Sequence, residues 1–159
     1  MHYTIVFKEK PTQDDVRAIA APLQQFNLDT GPPPRYKSVA LAVESDGQIL
    51  GGLWGQCAYD WLHVEYLVVP AALRRQGLGR KLLAQAEQIA AAHGCIGVWL
   101  DTLAFQALPF YEKLGYHRFG QIDDQPPGSP HYFLKKRLSP NPTPATESAT
   151  RSAPQPPSA

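Results

Sequence analysis

The chain has 159 residues, 43% of them hydrophobic and 18% charged, with a formal net charge of +1, which suits one globular domain with a full core. Near-neutrality excludes capture of nucleic acid or an anionic membrane by bulk charge, so any phosphate recognition must be local. The opening MHYTIVFKEK has no apolar core of a secretory signal, no uncharged apolar run approaches the roughly 18 residues of a membrane span, and the two cysteines, Cys57 and Cys95, are too few and too distant for a disulfide scaffold or zinc motif. Both are expected to be buried and structural, in a reduced, cytoplasmic protein.

Residues 3–8 alternate and are rich in β-formers, which predicts a first strand. Thr12 and Asp15 have the spacing of a helix cap, and Val16, Ile19, Ala20, Leu23 and Phe26 follow at helical spacing. Pro22 should bend that helix or end it early. Residues 27–37, with Gly31-Pro32-Pro33-Pro34, are expected to form a loop. Strands are predicted over 38–44 and 49–59, joined by the tight turn Ser45-Asp46-Gly47-Gln48. Gly51, Gly52 and Gly55 weaken the second of these or mark a close approach. Residues 61–69 are nearly continuous in apolar character and predict a central strand. Residues 80–93 form an amphipathic helix closed by Gly94, and 97–101 a short buried strand. Residues 105–114 are a second helix with Pro109 in its first turns and Gly115 at its end, and strands over 116–122 and 131–138 flank a loop at 123–130. The alternation in the second half implies a partly parallel sheet covered by helices. The tail SPNPTPATESATRSAPQPPSA, residues 139–159, lacks bulky apolar residues and is expected to be disordered, leaving one domain over 1–138.

The stretch LRRQGLGRKLL at 73–83 puts two glycines and four cationic side chains at a helix start. A Walker loop fails, because Gly79 is followed by Arg80-Lys81 with no Ser or Thr next; a dinucleotide fingerprint fails at Leu82, where its third glycine belongs. A helix-turn-helix fails because the preceding segment reads as a strand. What remains is strand, short loop, and Arg74-x-x-Gly77-x-Gly79 opening a long helix. Such helix starts offer free N–H groups to a pyrophosphate, and glycine lets it approach the backbone.

With these residues the sequence resembles the GNAT superfamily of acyl-CoA-dependent N-acetyltransferases, whose phosphate loop follows [Q/R]-x-x-G-x-[G/A]. About thirty residues later, ALPFYEKLGY at 107–116 is similar to the family's second signature, A-x-x-x-Y-x-K-x-G-[F/Y]. The run LDTLAFQALPFYEKLGYHRFG, then PPG and YFLKKRL, resembles a bacterial subgroup with poorly defined substrates. The resemblance spans residues 3–138 in element order and is motif-specific from about Trp61. One departure is Ala104, where many members carry Asn; Gln106 is the candidate substitute.

The resemblance implies an α/β (α+β) fold: a mostly antiparallel sheet of six or seven strands with a parallel central pair, flanked by helices on both faces. It implies acetyl-CoA as donor and a primary amine, most simply of a small molecule, as acceptor, with no nucleic acid, membrane or metal, and a homodimer as a candidate assembly. Arg74, Arg75, Gln76, Gly77, Leu78, Gly79 and Arg80 would hold the pyrophosphate. The backbone of Leu67, Val68 and Val69 would align the thioester, with Gln106 and Phe110 beside it. Tyr111 matches the frequent general acid, or is a core tyrosine beneath the cofactor. His63 and Glu65, on one strand face by alternation, are candidate bases. Asp101 could orient Gln106, hold a cationic acceptor or cap the next helix. Trp54, Tyr59, Trp61 and Tyr132, with the 123–130 loop, are candidate acceptor contacts. The alternatives are a non-catalytic acyl-CoA-binding module and a protein lysine or N-terminal acetyltransferase.

Overall fold

A computed structural model describes residues 2–139. The elements are α1 (Gln13–Thr30), β1 (Lys37–Ser45), β2 (Gln48–Ala58), β3 (Trp61–Val68), a one-turn 3-10 helix (Ala71–Leu73), α2 (Leu78–Ala92), β4 (Gly97–Leu103), α3 (Leu108–Lys113), β5 (His117–Ile122) and β6 (His131–Arg137). They form a six-stranded mixed sheet in the order β1-β2-β3-β4-β6-β5. Every neighbouring pair is antiparallel except β3 and β4, which run parallel because α2 carries the chain back across the sheet.

The turn at Asp46 and Gly47 closes the β1–β2 hairpin with both residues left-handed, the geometry that matches strand twist. α2 lays Leu82, Leu83, Ala86 and Ala90 on one face of the sheet, against Leu62, Val64, Val98, Leu100 and Leu134. Each such fully buried aliphatic side chain stabilises the fold by about 1.5–3 kcal/mol. Gly97 has no Cβ because the Trp61 ring occupies that space, and this packs the starts of the parallel pair together. Behind α2, Glu87 accepts from the Tyr116 hydroxyl (2.9 Å) and pairs with Lys136 (2.7 Å), tying helix, loop and β6. Cys57 and Cys95 are free and buried, and burial first, with the neighbouring Cys57 thiol, pushes the Cys95 thiol up to about 12.

Residues 3–8 do not form the expected first strand. They pair with no strand of the sheet, and Tyr3, Ile5 and Phe7 stand in solvent, so β1 is an edge strand. Their alternation is real, but a strand exists only with a partner. Pro22 does not end α1 either. The helix runs through it to Thr30, and the loop starts at Gly31 rather than 27. No residue of α1 is buried, so the Ala18 carbonyl that loses its bond to Pro22 can bind water instead. The start of α1 is a full capping box, with Asp15 N donating to Thr12 Oγ1 (3.1 Å) and Thr12 N to Asp15 Oδ2 (2.9 Å). α3 is shorter than expected, because residues 104–107 are taken by turns. Beyond Ser139 the expected disordered tail lies outside the described residues. Among the described residues no helix is long and apolar enough to cross a membrane.

Candidate active site

The parallel pair holds its register only from Trp61 opposite Gly97 to Val64 opposite Leu100. On the other side of β3, pairing with β2 shifts between Trp54 and Gly55, so that Glu65 opposes no residue. A bulge of this kind bends its strand. Beyond it β3 leaves β4, while β4 stays with β6 through Leu103. Gly55 sits at the bend, where a Cβ would collide with the His63 carbonyl.

The splay opens a cleft of about 940 Å³. Its strand wall is Leu67, Val68 and Val69, whose backbone faces no strand on that side. Its floor is the start of α2. Arg75 (φ 62) and Gly77 (φ 76) are both left-handed, and no side chain caps the helix, so its first N–H groups are left open toward the cleft. Arg74, Leu78, Gly79 and Arg80 complete that side. Gly79 matters for space: a Cβ there would lie 3.2 Å from Phe110 Cζ and 3.5 Å from Val69 Cγ2. The cleft therefore offers the unpaired strand edge, uncapped helix dipole and close-approach glycine that a pyrophosphate and an extended thioester arm require.

The opposite wall is Gln106, Phe110 and Tyr111, together with Thr102 and Phe105, which the sequence analysis did not single out. Two expected donors are partly committed elsewhere. Arg74 Nε donates to the Val69 carbonyl (3.1 Å), holding the loop against the strand end. Gln76 does not line the cleft and bonds the Ala72 carbonyl (3.2 Å). The Gln106 side-chain oxygen accepts from Leu103 N (2.9 Å) and Thr102 Oγ1 (3.2 Å), so it secures the turn before α3 and only its amide nitrogen remains free.

Tyr111 is 8% exposed. Burial first, and then the negative charge of Asp101, push its phenol up to about 12, so it is a neutral donor throughout the physiological range. Its ring packs edge-on against Phe110 and Tyr116.

Asp101 joins two histidines. Its Oδ2 accepts from His131 Nε2 at 2.7 Å, and its Oδ1 lies 3.8 Å from His63 Nε2. Strand register explains the meeting: His63 pairs with Trp99, two residues before Asp101, and Asp101 pairs with Phe133, two residues after His131. His63 stacks flat on Trp99, with ring centroids 3.6 Å apart and planes 2° apart. Its Nε2 is buried with no hydrogen-bond partner. His131 stacks on Phe133, and its Nδ1 lies 3.2 Å from Gln125 Oε1, which links the 123–130 loop to the cluster. Asp101 therefore neither orients Gln106 nor caps α3; His131 holds it instead. His131 escaped the sequence analysis because nothing local marks it, and only the β4–β6 register brings it here. Among the described residues, no three His, Cys, Asp or Glu side chains are arranged to hold a metal ion.

The remaining candidates separate. Glu65 is exposed, and the bulge breaks the alternation that put it beside His63. Trp54 faces Tyr66 across that bulge and is 38% exposed. Tyr132 packs against the core between Thr102 and Gln121, with the Arg118 guanidinium 5.4 Å from its ring centre. Trp61 and Tyr59 lie at the other end of β3. Trp61 packs on Gly97 under Arg137, and Tyr59 lines a separate hollow of about 390 Å³ with Asn27, Leu28 and Gln56. The structure does not bring these two to the cleft.

Known proteins resemble this chain in sequence and in fold. The sequence model of the Acetyltransferase (GNAT) family matches residues 6–116. The acetyltransferase Atu2258 of Agrobacterium fabrum is 36% identical over 123 residues, 77% of this chain and 90% of that protein. Blasticidin-S acetyltransferase of Streptomyces morookaense is 44% identical over 93 residues, 58% of this chain and 68% of that one. A crystal structure of an acetyltransferase from Bacillus cereus superposes with a TM-score of 0.74 at 33% identity, covering 84% of this chain and 98% of that one. A splayed parallel pair, an uncapped helix start in the cleft and these likenesses agree: the chain belongs to the GNAT family of acetyltransferases, enzymes that use acetyl-CoA to acetylate amines.

Proposed function

We propose that this enzyme transfers acetyl directly from acetyl-CoA to a primary amine of a small cationic molecule, with both substrates bound together. The carrying observation is the Asp101–His131–His63 group on the strands beside the backbone-built cleft, with the charge of Asp101 felt at Tyr111. Open backbone N–H groups of residues 75–80, with Arg75 and Arg80, receive the pyrophosphate. The free edge of Leu67, Val68 and Val69 aligns the pantetheine arm, and an N–H of this edge polarises the thioester carbonyl.

The acceptor arrives as an ammonium, and the Asp101 carboxylate attracts it. His63, with an unpartnered Nε2, takes the proton that frees the nitrogen lone pair, directly or through water. Glu65 is the weaker candidate for that task because it sits outside the cluster. The nitrogen attacks the carbonyl carbon, the C–N bond forms, and the C–S pair leaves on sulfur. Tyr111 gives its phenolic proton to that sulfur as the C–S bond breaks, so CoA leaves as the thiol, and the second proton lost by the acetylated nitrogen returns through water to the phenolate. Trp54, with Trp99 and the 123–130 loop, supplies the acceptor walls, whereas Tyr132 stays on the core side of β6. A small acceptor is supported by the likeness to blasticidin-S acetyltransferase, whose name gives a small-molecule substrate.

The test is free-thiol release from acetyl-CoA against polyamines, aminoglycosides, nucleoside antibiotics, amino acids and peptides. Turnover on one or more small amines is expected. Acetyl-CoA binding without thiol release across the panel would make the chain a non-catalytic acyl-CoA module, and turnover on peptides alone would make it a protein acetyltransferase.

A further inference from the structure

The β4–β6–β5 half of the sheet treats its cations differently on its two faces. Toward α2 and α3, each Lys and Arg of β5 and β6 has a carboxylate: Lys136 Nζ lies 2.7 Å from Glu87 Oε2, and Arg118 Nε 3.2 Å from Glu112 Oε1. On the other face, Lys135 and Arg137 have no carboxylate partner among the described residues. They have aromatic rings instead. Lys135 Nζ stands 5.3 Å from the centre of the Phe119 ring, and the Arg137 guanidinium 5.1 Å from a Trp61 ring. Both side chains are exposed. β6 is an inner strand, so these are not the guard charges of a sheet edge.

Alternation and register set these cations relative to Asp101. Leu100 and Leu134 pair with each other and are buried under α2, so Trp99, Asp101, Phe133 and Lys135 point the opposite way. Asp101 pairs with Phe133, and Trp99 with Lys135. The step from Asp101 to Lys135 is therefore two residues, ~7 Å along the strands, and Arg137 lies two residues further on. Flat rings fill the interval: Trp99, stacked on His63 with centroids 3.6 Å apart, and Phe133, stacked on His131. Asp101 is the one acidic residue in β4, β5 and β6. The face is thus bipolar, with a carboxylate and imidazoles at the end nearer the donor cleft, aromatic rings in the middle and two cations at the far end. The ring contacts restrain the Lys135 and Arg137 head groups without neutralising them, so less side-chain freedom is lost when an anion binds.

We propose that the acceptor carries a second, anionic group. Its amine sits at Asp101 and His63, its flat or apolar middle lies against Trp99 and Phe133, and its acidic oxygens meet Lys135, with Arg137 next in line. The inference rests on the proposed acceptor chemistry and narrows it: cationic at the reacting nitrogen and anionic ~7 Å away, about the separation across a benzene ring. A simple polyamine would place its second ammonium beside Lys135, and a nucleic-acid strand would bring phosphates onto Asp101. Like charges oppose both.

The test uses three acceptors of one shape: para-(aminomethyl)benzoate, its carboxamide and para-xylylenediamine. With acetyl-CoA, the acid should show a kcat/KM at least ~5-fold above the amide and ~10-fold above the diamine. Lys135→Gln should bring acid and amide level, and Lys135→Glu should put the diamine first. Dissociation constants for the CoA-loaded protein, read by NMR titration, should rank the three in the same order. This second arm needs no turnover, so it separates the two readings. An acid bound first, with no thiol released from acetyl-CoA, would sink the acetyl transfer to such amines and support charge selection. An acid bound no more tightly than its amide overturns the proposal, and so does a diamine preferred by the wild type. Variants that lower all three acceptors alike also overturn it, since Lys135 would then be a structural residue.

Discussion

The donor side and the acceptor side proposed for this molecule are built from different materials. The donor cleft is mostly backbone: a strand edge left bare by a bulge, two left-handed residues and an uncapped helix start. The proposed acceptor side is mostly side chains, with His63, Asp101 and His131 contributed by three strands that are adjacent only after the sheet has formed. Backbone function depends on local spacing and changes little when neighbouring side chains vary. Side-chain function depends on register between distant segments, and it can be retuned one residue at a time. A family that keeps its donor and changes its acceptors would be expected to divide its site in this way.

The contrast can be broken at the point where the two sides meet. Tyr111→Phe removes the one buried phenol that lines the cleft among the described residues, and should lower kcat by ~10²–10³-fold while leaving the KM for acetyl-CoA unchanged. Steady-state kinetics with wild-type turnover would return Tyr111 to a packing role. Asp101→Asn should act on the acceptor side alone, lowering kcat/KM for a cationic amine by ~10–100-fold, with acetyl-CoA binding by calorimetry unaffected. Equal losses in both would mean that Asp101 holds the sheet together rather than the acceptor. Gly79→Val tests the donor side in the same manner. Branches placed between Phe110 and Val69 should raise the KM for acetyl-CoA about tenfold and spare the KM for the amine.

The smallest effect concerns stability. Tyr111 titrates near 10 when unfolded and about 12 when folded. Its protonated form is the one the fold favours, so this contribution is complete below pH 10 and is lost as the pH rises from 10 to 12. The loss is ~2–3 kcal/mol. Urea midpoints for wild type should therefore fall more steeply over that interval than those of Tyr111→Phe; parallel curves would mean that the phenol is reached by water.

What the sequence made legible follows the same division. The phosphate loop, the helix behind it, the hairpin turn at Asp46-Gly47 and the run ending in Tyr111 were readable because each depends on residues a few positions apart. Alternation also suggested that His63 and Glu65 share a face, and one unpaired residue was enough to undo that inference. Trp61 and Tyr59 looked like site aromatics until the direction of β3 put them at its far end. His131 was invisible, since a histidine at the start of a strand has no local signature. Residues 3–8 show a further limit: their alternation predicted a strand, but alternation carries no information about a partner, and no strand of the sheet pairs with them.

Glu65 has a consequence that reaches beyond its own side chain. It is one surplus position in a strand that otherwise keeps step with its neighbour, and the mismatch in length, rather than the carboxylate, is what the fold uses. Substituting the residue should be inexpensive, whereas deleting it would let β3 and β2 run evenly past Trp54 and draw the strand straight. The sheet would be more regular for it, and the fork in which a thioester could lie would shut. The shape of the cleft is thus set by a count of residues, which a comparison of side chains alone would not register.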